Sequence, residues 1–598
     1  MPLTRLSALC CLVLTTAGLA ELDAQSQVIV QSRNGQHQLL RNGTPYFING
    51  AGGHTHLTQL VAAGGNSIRT WGTDDLDDIL DAAQKQNLTV CVGLWLGHER
   101  HGFDYQNQAA VVDQLETSLA AIRKYRNHPA VLMWGIGNEM EGAGNNPAIW
   151  YAVDHIAREC KRIDPKHPTM TVIAELGESK VQNIERFCPH IDIIGVNSYG
   201  GLPSMAKRYR ATGGTKPYIV TEFGPRGPWE VGKTPWGSPL EASSTAKAAH
   251  YAAGYRKSVS DQPDLCLGSY AFLWGQKQET TATWFGMLLP DGSRLATVDA
   301  MTQMWTGSLP KNRCPQIGSL TLSNDTQLKP GQKIQARLQV TDPERDRLKI
   351  EWILRHDSTT IGTGGDAQAA EANVRVAVSG KDTEPTVTIP AGGGNYRLFA
   401  YVYDGQGGAA VANAPLSVDG PPTRVKAPRA KLPFAIYADG VKSTVYAPSG
   451  YMGKTDAVKM ALNSNDQPHS GKTCLKIQYQ APGDWGGVLW QSPANDWKGQ
   501  LPGGLDLTGA VALEFWARGA QGGETVNFVF GVLEGDLKYP DTAKGELKNV
   551  RLTSQWQKLS MPLKGRDLSR IKTGFGWSLA GQGQPITFYL DDIRYVAR

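Results

Sequence analysis

Two glutamates stand where apolar runs of the sequence stop, and together they could perform acid-assisted displacement. Glu139 ends the run VLMWGIGNE, and Glu222 ends the run YIVTE. Two carboxyl groups can cleave a glycosidic bond when one is protonated to assist the leaving oxygen and the other is ionised to attack the sugar carbon. Glu141 and Glu175 also lie near the ends of such runs. The paired positions of Glu139 and Glu222 favour these two as the catalytic residues.

From about residue 45 to residue 308, short β-rich runs alternate with longer helical patterns. This alternation is typical of parallel βα units. We predict strands at 46–50, 66–71, 89–95, 130–137, 169–175, 191–197, 217–222 and 267–274. The helices that we predict between them include 75–86, 108–125 and 147–163, the last with Asn146 as its N-cap and Pro147 in its first turn. The sequence therefore predicts a (β/α)8 TIM barrel over residues 25–310.

The barrel fold places an active site at the carboxyl ends of its strands. Glu139 and Glu222 end the fourth and the seventh predicted strands, which face each other across such a barrel. We therefore expect the two carboxyl groups to meet in one cleft.

The chain beyond residue 310 changes to short alternating strands without a long helical period. We predict an immunoglobulin-like or cadherin-like β-sandwich at 311–418, a linker at 419–433 that is rich in Pro, Lys and Arg, and a jelly-roll β-sandwich at 434–598. Asp342, Glu344 and Asp346 of the first sandwich are candidate calcium ligands, but Arg345 and Arg347 interrupt the acidic run. We expect this unit to be a spacer, and we expect no metal or cofactor.

Charge and cysteine usage argue against several other classes of protein. The formal charge of +5 is small for 598 residues, and the basic residues are scattered, so we expect no nucleic-acid partner. None of the cysteines after the first 24 residues forms a CxxC pair, which gives little support to zinc binding or thiol redox chemistry. These cysteines are Cys91, Cys160, Cys188, Cys266, Cys314 and Cys474.

The first 24 residues read as a secretory signal. Arg5 precedes an apolar stretch, and small residues follow near Ala20 and Ala24, where cleavage is expected. No later stretch approaches the length that spans a membrane. We therefore expect a secreted or periplasmic protein with no membrane partner.

Three motifs resemble those of glycoside hydrolase clan A, particularly the family 2 type of barrel, with a weaker likeness to family 5. They are WGIGNE at 134–139, DIIGVNSY at 192–199 and TEFG at 221–224, within a similarity that covers about residues 40–308. The resemblance implies that Glu139 is the acid/base and Glu222 the nucleophile of a retaining enzyme. This sequence lacks the β-sandwiches that precede the barrel in family 2, so the resemblance does not fix the sugar.

The same resemblance implies four substrate-binding or supporting residues. Asn138 would donate to the sugar 2-hydroxyl, while Arg69 and Tyr199 would hydrogen-bond near Glu222. Trp274, which ends the eighth predicted strand, would form an aromatic platform under the sugar ring.

The last unit resembles the galactose-binding-like jelly rolls of carbohydrate-binding modules, through LEFWARG and FYLDDIRYV. A binding module raises the local concentration of an enzyme on a polymer. We therefore expect a secreted retaining β-glycoside hydrolase that acts on a β-linked polysaccharide or oligosaccharide, with a β-glucan as one candidate. A glucanosyltransferase-like transglycosylase on the same scaffold stays open, as does a non-catalytic glycan-binding protein.

Overall fold

A computed structural model describes residues 26–597, apart from 178, 358–367, 369–370, 372, 421–425, 440, 443–444 and 536. The predicted signal sequence and part of the predicted linker lie outside these residues. Within the described ranges, no helix has both the length and the apolar character needed to cross a membrane.

The amino-terminal part forms a closed barrel of eight strands, each pairing in parallel with its neighbours. A small antiparallel sheet of β1 (Val28–Arg33), β2 (Gln36–Arg41) and β3 (Thr44–Pro45) precedes it. The barrel strands are β4 (Ile48–Gly52), β5 (Ser67–Arg69), β6 (Thr89–Leu94), β7 (Val131–Asn138), β8 (Thr169–Ala174), β9 (Ile193–Asn197), β10 (Tyr218–Phe223) and β11 (Cys266–Ala271). The predicted TIM barrel is confirmed.

The strands are mostly apolar because a parallel barrel buries both faces of each strand. Every residue of β6, β7 and β10 is buried. The main core lies between these strands and the surrounding helices. Only at the carboxyl ends of the strands can polar side chains reach a cleft.

Helices lie between the barrel strands, and one of them has the side-chain cap that the sequence predicts. They are α1 (Leu57–Ala62), α2 (Leu76–Lys85), α3 (Gln108–Tyr125), α4 (Pro147–Ile163), α5 (Lys180–Phe187), α6 (Leu202–Ala211), α7 (Ser244–Tyr255) and α8 (Ala296–Thr306). The Asn146 side chain caps α4 by accepting a hydrogen bond from the Ala148 N–H at 3.0 Å. The bounds predicted for α3 and α4 match the structure.

The middle unit is a β-sandwich of two four-stranded sheets and a short two-stranded pair. Its strands are β12 (Gln316–Ile317), β13 (Thr321–Leu322), β14 (Lys333–Arg337), β15 (Val340–Thr341), β16 (Lys349–His356), β17 (Asn373–Val374), β18 (Ala377–Lys381), β19 (Glu384–Thr388), β20 (Gly394–Tyr403) and β21 (Ala409–Val418). Carboxylate oxygens of Asp342, Asp346 and Asp404 lie within 4.8 Å of one another. Glu344 instead pairs with Arg313 at 2.8 Å.

The last unit is a second β-sandwich, with a sheet of seven strands and a sheet of five. Its strands are β22 (Phe434–Ala438), β23 (Val441–Lys442), β24 (Ala447–Gly453), β25 (Val458–Ser464), β26 (Cys474–Tyr479), β27 (Trp485–Gln491), β28 (Ala512–Gly519), β29 (Thr525–Phe530), β30 (Gly545–Arg551), β31 (Gln557–Pro562), β32 (Thr573–Ala580) and β33 (Ile586–Val596). Aromatic side chains such as Phe515, Phe575 and Trp577 fill its own core, separate from that of the barrel.

Candidate active site

Glu139 and Glu222 both line one cavity of about 740 Å³ at the carboxyl ends of the barrel strands. Glu139 directly follows β7 and has a left-handed backbone, with φ +52°, and Gly137 two residues earlier has φ +75°. Such conformations are uncommon for a residue with a Cβ and often occur at functional sites. Glu222 lies within β10 and is buried. The structure therefore brings the two predicted catalytic residues into the same cleft.

A chain of hydrogen bonds joins the two carboxyl groups. Arg69 Nη1 donates to Glu222 Oε1 at 2.9 Å, and Arg69 Nη2 donates to Asn138 Oδ1 at 2.7 Å. Asn197 Nδ2 donates to the same Asn138 oxygen at 3.2 Å and to Glu139 Oε1 at 2.7 Å. Both contacts use the oxygen of the Asn138 carboxamide, so its amino group can donate to a bound sugar. This chain fixes the relative positions of the two carboxyl groups.

Two further donors hold the Glu222 carboxyl group. Tyr199 Oη donates to Oε2 at 2.9 Å, and Trp71 Nε1 donates to Oε1 at 2.7 Å. Burial, and next the negative charge of Glu222, raise the pKa of Tyr199 well above its usual value, so this hydroxyl keeps its proton. With the buried Arg69 ion pair, these donors stabilise an ionised and oriented Glu222.

The environment of Glu139 favours the protonated form. Burial, and next the charge of Glu222, raise the pKa of Glu139 to about 7, while the hydrogen bond from Asn197 acts in the opposite direction. A protonated carboxyl group beside an ionised one is the arrangement that acid-assisted displacement at a sugar carbon needs.

This raised pKa predicts a loss of activity on the alkaline side. Glu139 can act as an acid only while it is protonated. The titration of this group should therefore leave kcat/KM independent of pH below about 7 and lower it about tenfold for each pH unit above 7. The measurement is a pH profile of kcat/KM with a substrate whose leaving group needs protonation. An activated phenol, which departs without a proton, should show a weaker alkaline fall. Undiminished activity on the first substrate at pH values far above 7 would contradict the assignment of Glu139 as the acid.

The structure does not bring Trp274 to the cavity. It is 1% exposed, and its indole N–H donates to the carbonyl of His56 at 3.4 Å. Strand β11 ends at Ala271, so the chain has already left the strand when it reaches Trp274. Phe272 lines the cavity instead, and it packs edge-on against Trp71 and Tyr199. The aromatic side chain that lines the cavity at this end of the barrel is therefore Phe272 and not Trp274, where the platform was predicted.

Two tryptophans stand half exposed on the walls of the cavity. Trp95 follows β6, is 50% exposed and stacks on His98, while Trp229 follows β10, is 50% exposed and packs edge-on against Tyr199. Exposed aromatic faces suit stacking on the apolar side of sugar rings. Because these two lie on different loops, the cavity presents such a face on more than one wall.

The two other glutamates near strand ends have different surroundings. Glu141 is buried in an ion pair with Lys180 at 2.7 Å, away from the cavity lining. Glu175 lines the cavity and accepts from Arg208 at 2.9 Å and from Ser198 at 2.6 Å. Despite an opposing effect of burial, these bonds lower the pKa of Glu175. Glu175 is therefore held ionised and does not share the environment of Glu139.

Sequence reasoning missed the roles of several cavity residues. Asn197 ends β9 and could have been found by the same strand-end signal that selected Glu139 and Glu222. Lys277 and Glu279 come from a loop beyond β11, and no pattern in the sequence marks them.

A buried network ties this loop to the middle sandwich. Glu241 forms an ion pair with Lys247 and accepts from Thr281 at 2.7 Å and from Thr283 at 2.8 Å. Asn413, in the sandwich, donates to the same carboxylate at 2.8 Å. The sandwich thus supports the loop that carries Glu279 into the cavity.

Comparison with known families gives two matches. Residues 83–232 match the family described as glycosyl hydrolases family 2, TIM barrel domain, and residues 435–597 match carbohydrate binding domain 30. The resemblances to a family 2 barrel and to a carbohydrate-binding module are confirmed.

Curated relatives match about a quarter of this chain. The β-glucuronidase of Felis catus is 26% identical over 185 residues, and that of Homo sapiens is 23% identical over 185 residues; each match covers 27% of this chain and 26% of the relative. The chain thus spans about a quarter of the length of these relatives.

Comparison with solved structures gives a Bacteroides uniformis β-glucuronidase 2, with a TM-score of 0.38 and 12% identity over 95% of this chain and 67% of that one. A Ruminococcus gnavus β-glucuronidase has a TM-score of 0.38 and 16% identity over 48% of this chain and 53% of that one. Residues 83–232 are thus similar to the TIM barrel domain of glycosyl hydrolases family 2, and residues 435–597 are similar to carbohydrate binding domain 30.

Proposed function

We propose that this protein is a retaining β-glycoside hydrolase with Glu139 as acid/base and Glu222 as nucleophile. The observation that carries the proposal is the hydrogen-bonded chain through Arg69, Asn138 and Asn197 that joins the two carboxyl groups. It places a carboxyl group of raised pKa beside one that an arginine, a tyrosine and a tryptophan hold ionised. The β-glucuronidases among the relatives support a β-linked substrate.

The first step forms a covalent glycosyl-enzyme. A carboxylate oxygen of Glu222 attacks the anomeric carbon, the bond from that carbon to the leaving oxygen breaks, and Glu139 transfers its proton to that oxygen. The amino group of Asn138 would donate to the sugar 2-hydroxyl during this step. In the second step Glu139 takes a proton from water, whose oxygen attacks the anomeric carbon and releases Glu222. Two inversions at one carbon give net retention.

The substrate that we propose is a β-linked polysaccharide or oligosaccharide. Trp95 and Trp229 offer stacking faces beyond the catalytic pair, which suits a chain of several sugars. The carbohydrate-binding domain would hold the enzyme on a polymer. The predicted signal sequence supports action outside the cytoplasm. A transglycosylase differs only in that a sugar hydroxyl, instead of water, resolves the intermediate.

Removal of residues 434–598 should separate binding from catalysis. We expect the truncated protein to keep nearly full turnover of soluble oligosaccharides, because the described catalytic residues lie in the barrel. Its activity on the polymer should be lower by about tenfold or more. The measurement is a screen of both proteins against β-linked polysaccharides and their oligosaccharides, reading product size, linkage and anomeric configuration. Longer products at high acceptor concentration would favour the transglycosylase. Loss of all activity from a well-folded truncation would contradict this division of roles.

A further inference from the structure

The charges that line the cavity are mostly negative. Among the described residues of the lining there are five carboxyl groups and one amine, that of Lys277. The carboxyl groups belong to Glu139, Glu175, Glu222, Glu230 and Glu279. A bound sugar therefore meets many acceptors and one positive charge.

That positive charge is already paired with a carboxylate. Lys277 Nζ lies 2.8 Å from Glu279 Oε2, and the two side chains are 24% and 5% exposed. The guanidinium groups beneath the lining also have acidic partners, since Arg69 pairs with Glu222 and Arg208 pairs with Glu175, each at 2.9 Å. Each of these cations is thus neutralised by its own acidic partner.

Glu230 adds a charge that these ion pairs do not balance. Its carboxylate accepts from the backbone N–H groups of Gly200, at 3.0 Å, and Gly227, at 2.7 Å. Backbone donors stabilise the carboxylate without cancelling its charge. With Glu139 protonated, the lining carries a net negative charge.

This balance disfavours a sugar that bears a carboxylate. A uronic acid would bring an anion out of water into a cavity whose unbalanced charge is negative, and it would find no cation without an acidic partner among the groups described above. The hydroxyl groups of an uncharged sugar can instead donate to Glu175, Glu230 and Glu279. Building on the proposed function, we infer that the cavity selects uncharged sugars over uronic acids at the cleaved position, with the Lys277–Glu279 ion pair as a specificity determinant.

The test compares substrates of the full chain that differ only at C6. The probes are 4-nitrophenyl β-glucoside and β-galactoside, the corresponding uronides, and the uncharged uronamides; β-glucan oligosaccharides before and after oxidation of C6 to carboxylate serve as chain-length probes. We expect kcat/KM to be about 100-fold or more lower for the uronate member of a pair and to recover in the amide, which has the same size without the charge. A uronate cleaved as well as its uncharged counterpart would overturn the inference.

Two variants test the residues named. In Glu279→Gln the lysine loses its acidic partner, so the ratio of uronate to uncharged turnover should rise about tenfold or more, and Lys277→Met in the same protein should abolish the rise. Glu230→Gln changes an exposed side chain and should also raise the ratio of uronate to uncharged turnover. This variant keeps the test valid if the buried Lys277–Glu279 pair is needed for folding. Glu534→Gln, in an exposed pair of the last sandwich, is the matched control and should leave the ratio unchanged.

An unchanged ratio in both Glu279→Gln and Glu230→Gln would contradict the specificity assignment. Failure of the proposed function has a different signature. In that case neither the charged nor the uncharged probes would be cleaved faster by the parent than by Glu222→Ala.

Discussion

Replacing Glu222 by Ala is expected to lower kcat/KM by roughly 10⁴-fold or more on every substrate, including those with activated leaving groups. The substitution removes the atom that bonds to the anomeric carbon, so no glycosyl-enzyme can form. The side chain is the acceptor for Arg69, Tyr199 and Trp71, and none of these donors can replace it as a nucleophile. The measurement is steady-state kinetics with aryl β-glycosides, together with mass spectrometry of the protein after addition of a slow substrate.

Azide provides a second, stereochemical result for the same variant. The anion is small enough to occupy the space left by the Glu222 side chain, and it would attack the anomeric carbon directly while Glu139 assists departure. A single inversion from a β-glycoside gives the α-glycosyl azide. Glu116→Ala, which alters an exposed glutamate on helix α3, is the matched control and should keep full activity without forming azide products. Full activity of Glu222→Ala would exclude this residue from catalysis.

The barrel and its catalytic pair could be predicted because their signals are local. Each strand is buried on both faces and therefore reads as an apolar run, and a polar residue at its end is conspicuous. Glu139 and Glu222 both carry this signal, and the structure places both in the cavity. Asn197 carries it too, since it is the last residue of β9.

The aromatic residue that faces the cavity after the eighth strand could not be predicted from the sequence. Alternation of side chains holds only inside a strand, and β11 ends at Ala271, three residues before the predicted end. Two aromatic residues follow, Phe272 and Trp274, and the backbone beyond the strand decides which of them faces the cavity. The sequence pattern does not contain that information.

The residues that tune the cavity depend on contacts between distant segments. Glu279 pairs with Lys277 on its own loop, but the loop is supported by Glu241, which in turn accepts from Asn413 of the middle sandwich. Glu241 and Asn413 are 172 residues apart. A periodic pattern cannot indicate such a pairing, because it arises only when two domains pack together.

Replacing Glu139 by Ala should give a different kinetic signature, because this residue supplies a proton and not a bond. With a poor leaving group, kcat/KM should fall by roughly 10²- to 10⁴-fold, since departure then lacks acid assistance. With an activated phenol the glycosyl-enzyme should form almost normally, because the phenolate leaves without a proton. Its hydrolysis should be slow, because no base remains to activate water, and the intermediate should accumulate as a burst of phenol followed by slow turnover.

Azide then distinguishes the two carboxyl groups by the anomer that each variant produces. In Glu139→Ala the anion needs no general base, and the space left by the side chain would admit it to the face of the sugar opposite Glu222. It should speed turnover and give the β-glycosyl azide, since the intermediate is α-linked and its opening inverts the carbon once more. The measurement is product analysis by NMR alongside the α-azide expected from Glu222→Ala. If Glu139→Ala gave the α-azide and Glu222→Ala the β-azide, the assigned roles would be reversed. Asn197 would then hydrogen-bond to the nucleophile, Glu139, and Arg69 would hydrogen-bond to the acid, Glu222.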